Sequence, residues 1–446
     1  MTTEKKTILI IGASGKVGKI LFNTLRNDNY GAKFETYGTY NTNPVSGLHH
    51  LDMTNRDSVK EIFGKITPRI VIQPAALTYA EAAEENKEYA AKINIEGTKN
   101  VAECCKLSGA KLVYISSDYV YDGENGPFSE NSITKPTNYF GQTKVEAEKL
   151  VLKLEDSLVI RTAWVNDISV ESKSFVMQLI TSLLNNKQMR VPTDQYGHPT
   201  LAQNLVEIII DLILKNKSGI YNVAGTTFID RYSLAVKLAE AFSLDPSLVV
   251  GVASEELKQK ARRPKKVSLN LDKLKANVSV KILNLEEQID QMRKMYSLTT
   301  PIEGVKLVYL GSYRDGRGAL TVLVSQGRKD APDAAKIQEV YLSEIPEPKI
   351  VRAGHKHLKT DEFFYVLDGS AKFELVDDRQ TSATFKNRCT FFLNSRYLST
   401  LFVPAGIYHA LVSLEENSKV LAIASKAYHK DDTDTYNAPA NTFQTV

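Results

Sequence analysis

His355, His357, Glu362 and His409 have the types and spacing to grip one ion. His355 and His357 are alternate residues, so on a strand they share a face and converge inside a barrel; Glu362 lies just beyond, and His409 follows the turn Pro404-Ala405-Gly406-Ile407-Tyr408. Three imidazoles and a carboxylate form a borderline-soft donor set that suits zinc, iron, nickel or manganese and leaves positions for a substrate. The competing reading is a metal-free pocket in which the histidines serve as acid and base.

A second constellation lies near residue 140. Phe140 stands four residues before Lys144, a spacing that puts both on one helix face and aims them at one site. A tyrosine in that place would be a proton donor, because the ammonium favours the phenolate and draws a phenol of free pKa about 10 toward useful acidity. Phenylalanine has nothing to donate. Tyr139 does not substitute, since at about 100° per residue it lies roughly 140° from Lys144 around the helix.

These side chains need elements to carry them. From about 7 to 165, short apolar runs at Ile8 to Ile11, Phe34 to Tyr40, Ile70 to Ile72, Leu112 to Ser116 and Leu158 to Arg161 alternate with helical patterns, which predicts βαβ units and a parallel sheet. The first strand runs into Gly12-Ala13-Ser14-Gly15-Lys16-Val17-Gly18 and a helix beginning near Val17. Glycines so spaced allow a tight turn and let backbone amides at a helix N-terminus reach a pyrophosphate, so a dinucleotide site is expected there. The second strand ends in Gly38-Thr39-Tyr40-Asn41-Thr42 with no acid for a ribose 2′-hydroxyl, which favours NADP(H) over NAD(H), although no arginine stands ready for a 2′-phosphate. Asp52 is placed to meet the adenine.

From about 166 to 296 the pattern turns mostly helical, with Phe175 to Asn185, Ala202 to Leu214, Tyr232 to Phe242 and Leu283 to Met295 forming a small substrate-covering subdomain. After Ser297-Leu298-Thr299-Thr300-Pro301 come strand-like runs separated by turns, and an all-β barrel or sandwich is expected over 302–446. Two domains, 1–298 and 302–446, suit a chain of 446 residues. A net charge of +4 predicts no nucleic-acid partner, and the absence of an apolar run of about 18 residues or of a signal-peptide core predicts no membrane partner and a cytoplasmic location. Cys104, Cys105 and Cys389 show no disulfide or metal spacing and read as structural, while His50, His198 and His429 read as surface or loop residues, His198 with a place at the substrate cleft.

The N-terminal part resembles the dTDP-4-dehydrorhamnose reductase branch of the extended short-chain dehydrogenase/reductases. The resemblance rests on Gln73-Pro74-Ala75-Ala76-Leu77-Thr78, Asn94, Tyr114-Ile115-Ser116-Ser117-Asp118-Tyr119-Val120-Tyr121-Asp122-Gly123, Arg161-Thr162-Ala163-Trp164-Val165 and Gly197-His198-Pro199-Thr200. It implies a Rossmann domain in which Ser117 binds a sugar's carbonyl oxygen, position 140 protonates it, and Lys144 holds the nicotinamide ribose. Gly12, Ser14, Gly15, Lys16, Val17, Gly18, Asn41, Asp52, Ala75, Ala76 and Asn94 would face the cofactor. Thr78, Asp118, Tyr119, Val120 and Trp164 would face the substrate. Phe140 breaks this pattern at one position. It reads as an engineered substitution that traps a complex, with a natural loss of activity, or a natural variant using water or Tyr119 as donor, as the alternatives.

The C-terminal part resembles the cupins through Gly354 to Gly369 and Pro404 to His409, with Leu398 and Ser413 departing from the second motif. The flanks Tyr313-Arg314-Asp315-Gly316-Arg317-Gly318 and Val351-Arg352-Ala353-Gly354-His355 are similar to sugar-nucleotide 3,5-epimerases and 3,4-ketoisomerases. The architecture resembles bifunctional capsular polysaccharide enzymes that epimerise in a zinc cupin and then reduce with NADPH. It implies a dTDP- or UDP-linked 4-keto-6-deoxy sugar, a catalytic role for His355 or His409, zinc as the metal, Arg352 at the enolate, and a homodimer. The rival is a non-catalytic NADP(H)-binding module like the regulatory subunit of methionine adenosyltransferase.

Overall fold

Alternation within the first strand sets the layering of the N-terminal half. In the computed structural model, which describes residues 5–169, 172–296, 300–310, 312–315, 318–325, 336–429, 434–439 and 442–443, β1 (Lys6–Ile10) turns Ile8 and Ile10 to one face and Leu9 to the other. The linker Ser297-Leu298-Thr299, the pair Gly316-Arg317 and the side chains of Tyr313, Arg314 and Asp315 lie outside the described residues.

Helix α1 (Lys16–Arg26) follows, then β2 (Phe34–Tyr40), β3 (His49–His50), α2 (Arg56–Ile66), β4 (Ile70–Gln73), α3 (Thr98–Ser108), β5 (Lys111–Ser117), α4 (Tyr139–Val151), β6 (Leu158–Thr162), α5 (Ala202–Leu214) and β7 (Gly219–Val223). The seven strands form one parallel sheet in the order β7-β6-β5-β4-β1-β2-β3. Leu21 and Leu25 of α1 and the Leu/Ile stripe of α5 bury the face of Ile8 and Ile10. Val59 and Phe63 of α2, Val101 of α3 and Ala147 of α4 bury the face of Leu9. Strand β7 falls inside the stretch read from sequence as helical; Gly219-Ile220-Tyr221-Asn222-Val223 is too short to show a period among strong helices, and its pairing with β6 is what makes it a strand.

The C-terminal half is antiparallel. Strands β8 (Lys306–Tyr309), β9 (Glu339–Ile345), β10 (Val351–His357), β11 (Glu362–Asp368), β12 (Ser370–Asp377), β13 (Arg388–Asn394), β14 (Ser399–Val403), β15 (Ile407–Ser413), β16 (Ser418–Ala424) and β17 (Thr435–Asn437) build two five-stranded sheets, β8-β14-β11-β16-β9 and β13-β12-β15-β10-β17. The all-β cupin expected over 302–446 is thus present as a jelly-roll of two antiparallel sheets.

The two compact units are not linear stretches. One comprises Met1–Phe175, Arg190–Leu234 and Gly251–Gln288; the other comprises Val176–Met189, Ala235–Val250 and Ile289–Val446. Within the second unit Phe242 and Tyr309 pack edge to face at 5.5 Å, and Arg293 donates to the carbonyls of Tyr397 and Leu398 at 3.1 and 2.7 Å, so helical segments that precede the cupin in sequence share its packing. Among the described residues no helix is long and apolar enough to cross a membrane. The cysteines are unpaired, and burial raises the thiol of each, that of Cys389 to about 12.

One ion pair ties α4 to the sheet. Glu148 accepts from Arg161 Nη2 at 2.7 Å and Nε at 3.0 Å and from Ser116 Oγ at 2.5 Å, with both side chains of the pair at most 4% exposed. Arg161→Met leaves the Glu148 carboxylate buried without its cation, and we expect a loss of about 3–5 kcal/mol in urea denaturation.

Candidate active sites: a dinucleotide cleft and a histidine cluster

The glycine loop is shaped by close approach. Gly12 has φ +92°, and a Cβ there would lie 2.8 Å from the Ala75 side chain. A Cβ on Gly18 would lie 2.1 Å from the Gly12 carbonyl oxygen, so helix and loop can approach only without side chains at these two positions. Gly12 N–H donates to Thr39 Oγ1 at 3.1 Å, linking the loop to β2. No side chain caps α1, and Gly15, Lys16, Val17 and Gly18 at its start line a cleft of about 710 Å³. Uncapped N–H groups and the positive helix end suit a phosphate there.

The same cleft gathers Ser14, Asn41, Asp52, Ala75, Ala76 and Thr78 with Ser117, Asp118, Tyr119, Phe140, Lys144 and Trp164. Two residues assigned to it from sequence are elsewhere. Asn94 is buried behind the wall, its amide bonded to Leu77 N and O at 2.8 and 3.1 Å and to Thr143 Oγ1 at 2.9 Å; it shapes the loop after β4 instead of lining the cleft. Val120 is wholly buried in an apolar cluster with Tyr121 and Phe128. His198 is also a structural residue: its Nδ1 lies 2.9 Å from Gly225 O and its Nε2 accepts from Leu269 N at 3.1 Å, which requires the neutral ring, and burial lowers its pKa accordingly.

Lys144 is buried, donating to Tyr114 Oη at 3.0 Å and Ile115 O at 2.8 Å, with Nζ 5.9 Å from the centre of the Phe140 ring. Burial pushes its pKa down to about 7. Phe140, 6% exposed, packs edge to face on Tyr119 at 5.8 Å among Ala80, Ala83, Ala90 and Ala261. Tyr139 points elsewhere, under the Lys87 ammonium at 5.4 Å. Ser117 Oγ donates to Asp118 Oδ1 at 3.0 Å; the other Asp118 oxygen is buried without a partner, and burial pushes the carboxyl up to about 7. Arg231 and Arg263 were missed in the sequence, because no motif marks them and only the fold brings them here; Tyr114 stands in the motif that ends at Gly123, but its bond to Lys144 was not foreseen.

The histidine cluster depends on a bulge. Ala353 and Gly354 take φ +63° and +83°, and the register of β10 against β15 shifts there, so that Arg352 stands opposite Leu411 and His355 opposite His409. Residues 352 and 355 are an odd number apart and would otherwise face opposite ways. Arg352 is exposed on this strand. Glu362 opens β11 in the other sheet, its Oε2 3.0 Å from His409 Nε2 and 3.4 Å from His357 Nε2. Tyr341 Oη donates to Glu362 Oε1 at 2.5 Å, a contact that no local signal on β9 announced. Thr435 and the Ile407 carbonyl engage the far nitrogens of His357 and His409 at 3.4 and 3.2 Å, which orients the rings.

The donor atoms of His355, His357, Glu362 and His409 lie within 4.8 Å of one another. Glu362 Oε2 and His409 Nε2 are buried and face each other at 3.0 Å, with no other side chain or backbone group among the described residues hydrogen-bonded to either. Burial, with His409 and His357 alongside, pushes His355 down to about 4; burial alone would raise Glu362, but His409 and His357 bring it down to about 2. A neutral imidazole and an ionised carboxylate whose donor atoms converge on one another fit a divalent cation placed among them.

A parallel Rossmann sheet with a glycine loop and an in-cleft serine and lysine, joined to an antiparallel barrel with a histidine cluster, defines a dinucleotide-dependent reductase type fused to a cupin. The chain belongs to the RmlD substrate binding domain family, which it matches over residues 6–298, and residues 299–444 match dTDP-4-dehydrorhamnose 3,5-epimerase. It is similar to dTDP-4-keto-6-deoxy-D-glucose reductase of Streptomyces niveus, 29% identical over 59% of this chain and 88% of that protein. It is similar also to methionine adenosyltransferase 2 subunit beta of Xenopus tropicalis, 27% identical over 57% of this chain and 78% of that one. Among solved structures, dTDP-4-dehydrorhamnose reductase from Bacillus anthracis in complex with NADP covers 66% of this chain and all of its own, with 29% identity and a TM-score of 0.60.

If the four side chains bind an ion, the purified protein will carry about one divalent metal per chain by elemental analysis, and His357→Ala will lower that content at least severalfold.

Proposed function

We propose that this chain converts a dTDP- or UDP-linked 4-keto-6-deoxy sugar in two steps, epimerisation at C3 or C5 in the cupin of residues 302–446 and NADPH-dependent reduction of the C4 ketone in the domain of residues 1–298. The observation that carries this reading is the pairing of a cleft complete but for one hydroxyl with a cupin whose His355, His357, Glu362 and His409 converge. A 4-ketone acidifies the hydrogens at C3 and C5, so one base that removes such a hydrogen, and one donor that returns it on the other face, suffice for epimerisation. His355, held neutral well below pH 7, suits the base, and His409 lies beside it at 4.9 Å between ring centres. Arg352 at the strand's open side suits the enolate oxygen. When bound by His355, His357, Glu362 and His409, a divalent metal, zinc foremost, would supply Lewis acidity at the enolate oxygen, and the acid–base roles of His355 and His409 then belong to the metal-free cupin, since a ligating nitrogen has no lone pair left for a proton. Reduction at C4 removes the epimerised ketone and draws the first step forward.

In the cleft, Ser117 is suited to the ketone oxygen and Lys144 to the nicotinamide ribose, while Phe140 leaves the proton donor missing and the reduction impaired. The NADP complex of the similar reductase supports NADP(H) as the cofactor. A cytoplasmic homodimer is part of the proposal. The second reading, an NADP(H)-binding regulatory module, is favoured by Phe140 itself and by the similarity to methionine adenosyltransferase 2 subunit beta. A 3,4-ketoisomerase is the cupin's alternative chemistry.

Incubation with dTDP- and UDP-4-keto-6-deoxyglucose in deuterated water separates these readings: deuterium at C3 or C5 is expected, and its absence with both nucleotides rules out the epimerase. Phe140→Tyr is expected to raise NADPH oxidation by the 4-keto sugar nucleotide by about two or more orders of magnitude; an unchanged rate overturns the reductase assignment.

A further inference from the structure

Arg231 is a cleft cation that makes no direct ion pair among the described residues; the carboxylate that acts on it, from a distance, is that of Asp118. It follows the short strand Ile229–Asp230 and opens the helix Arg231–Ala241, its backbone N–H donating to Gln195 O at 2.9 Å. Its guanidinium lies 3.8 Å from the centre of the Trp164 ring and 4.8 Å from that of Phe175. Among the described residues no carboxylate pairs with it and no side-chain hydrogen bond engages it, and its Nε is buried without a partner. Two other cleft cations, Arg263 and Lys16, differ in having a carboxylate beside them. Arg263 pairs with Glu81 at 2.9 Å and donates to Ala261 O at 3.0 Å, and Lys16 sits 3.4 Å from Asp167.

The stack that holds Arg231 is built tightly. Trp164 has φ +41°, the left-handed region that a bulky side chain seldom adopts, and a Cβ on Gly197 would lie 2.5 Å from the indole. Enclosing an unpaired cation and straining the residue beneath it both cost stability, and a ligand that supplies the missing charge offsets the first of these. A guanidinium with its faces covered by rings offers its N–H edge, which matches the paired oxygens of a phosphate. The cofactor's pyrophosphate has its own cradle at the start of α1, whereas Arg231 stands with Trp164, Asp118 and Tyr119.

We propose that Arg231 binds the diphosphate of the nucleotide-sugar substrate. This rests on the reading of that side of the cleft as the substrate's.

The test measures thymidine, dTMP, dTDP and NADPH affinities of the full chain by titration calorimetry, for the parent, Arg231→Gln and Arg231→Lys. The parent is expected to bind dTDP about tenfold or more tighter than thymidine, Arg231→Gln to bring the two within about twofold, and Arg231→Lys to fall between, with NADPH affinity unchanged throughout. If the Gln variant loses NADPH binding, the Lys variant decides, since a point charge cannot reproduce the bidentate edge. A dTDP preference that survives in Arg231→Gln, or a parent that binds thymidine and dTDP alike, overturns the proposal. An Arg231-dependent preference together with no reduction by Phe140→Tyr keeps the anion site and removes the reductase reading. Reduction with a preference indifferent to Arg231 does the reverse.

Discussion

The buried pair of Glu148 and Arg161 is the interaction on which the N-terminal site depends. Glu148 lies one turn after Lys144 on α4, and it is gripped from two strands at once, by Arg161 of β6 and by Ser116 of β5, the residue before Ser117. Arg161 reaches on to Tyr121 Oη at 2.7 Å. An ion pair this deep is weak as a source of net stability, because both charges lose their water. What it supplies is geometry: α4 cannot slide along the sheet without stranding a charge, and so Lys144 and Ser117 keep their places.

A comparable constraint operates in the barrel. The left-handed turn at Ala353 and Gly354 lets one strand change the face it presents, and it puts His355 directly across from His409 while Arg352 stays on the same side. Glu362 then meets the histidines from the opposite sheet, held by the Tyr341 hydroxyl. Both halves therefore use one local device to aim side chains that the chain carries far apart.

Phe140 stands out against this order because the surroundings have closed over it. Its ring fills a pocket of alanines beside Tyr119, a shape that accepts the ring of a tyrosine as readily. A tyrosine there would add one oxygen atom to the cleft, beside a lysine with its pKa pushed down to about 7 by burial.

Much of this was legible in the residues themselves. The glycine loop, the strand and helix runs of the first half, the barrel's Phe363 to Leu367 and Ala371 to Val376, and the four-residue donor set all follow from short-range periodicity and spacing, which a chain carries locally. What escaped was whatever depends on neighbours distant in sequence. Gly219–Val223 became a strand only through β6; Asn94, Val120 and His198 carry residue types that suit a site, yet packing turned them into the wall behind it. Arg231 and Tyr341 lie in no motif, and Tyr114 lies in one that does not announce its partner; the fold leaves them beside a ring, a carboxylate and an ammonium. Sequence alone determined the two folds and the chemical groups at hand, since backbone and pattern act over a few residues. Tertiary structure decided which of those groups face a cleft, which are satisfied by the wall behind it, and which, like Arg231 stacked on Trp164 and Glu362 among three histidines, are gathered where a ligand can reach them.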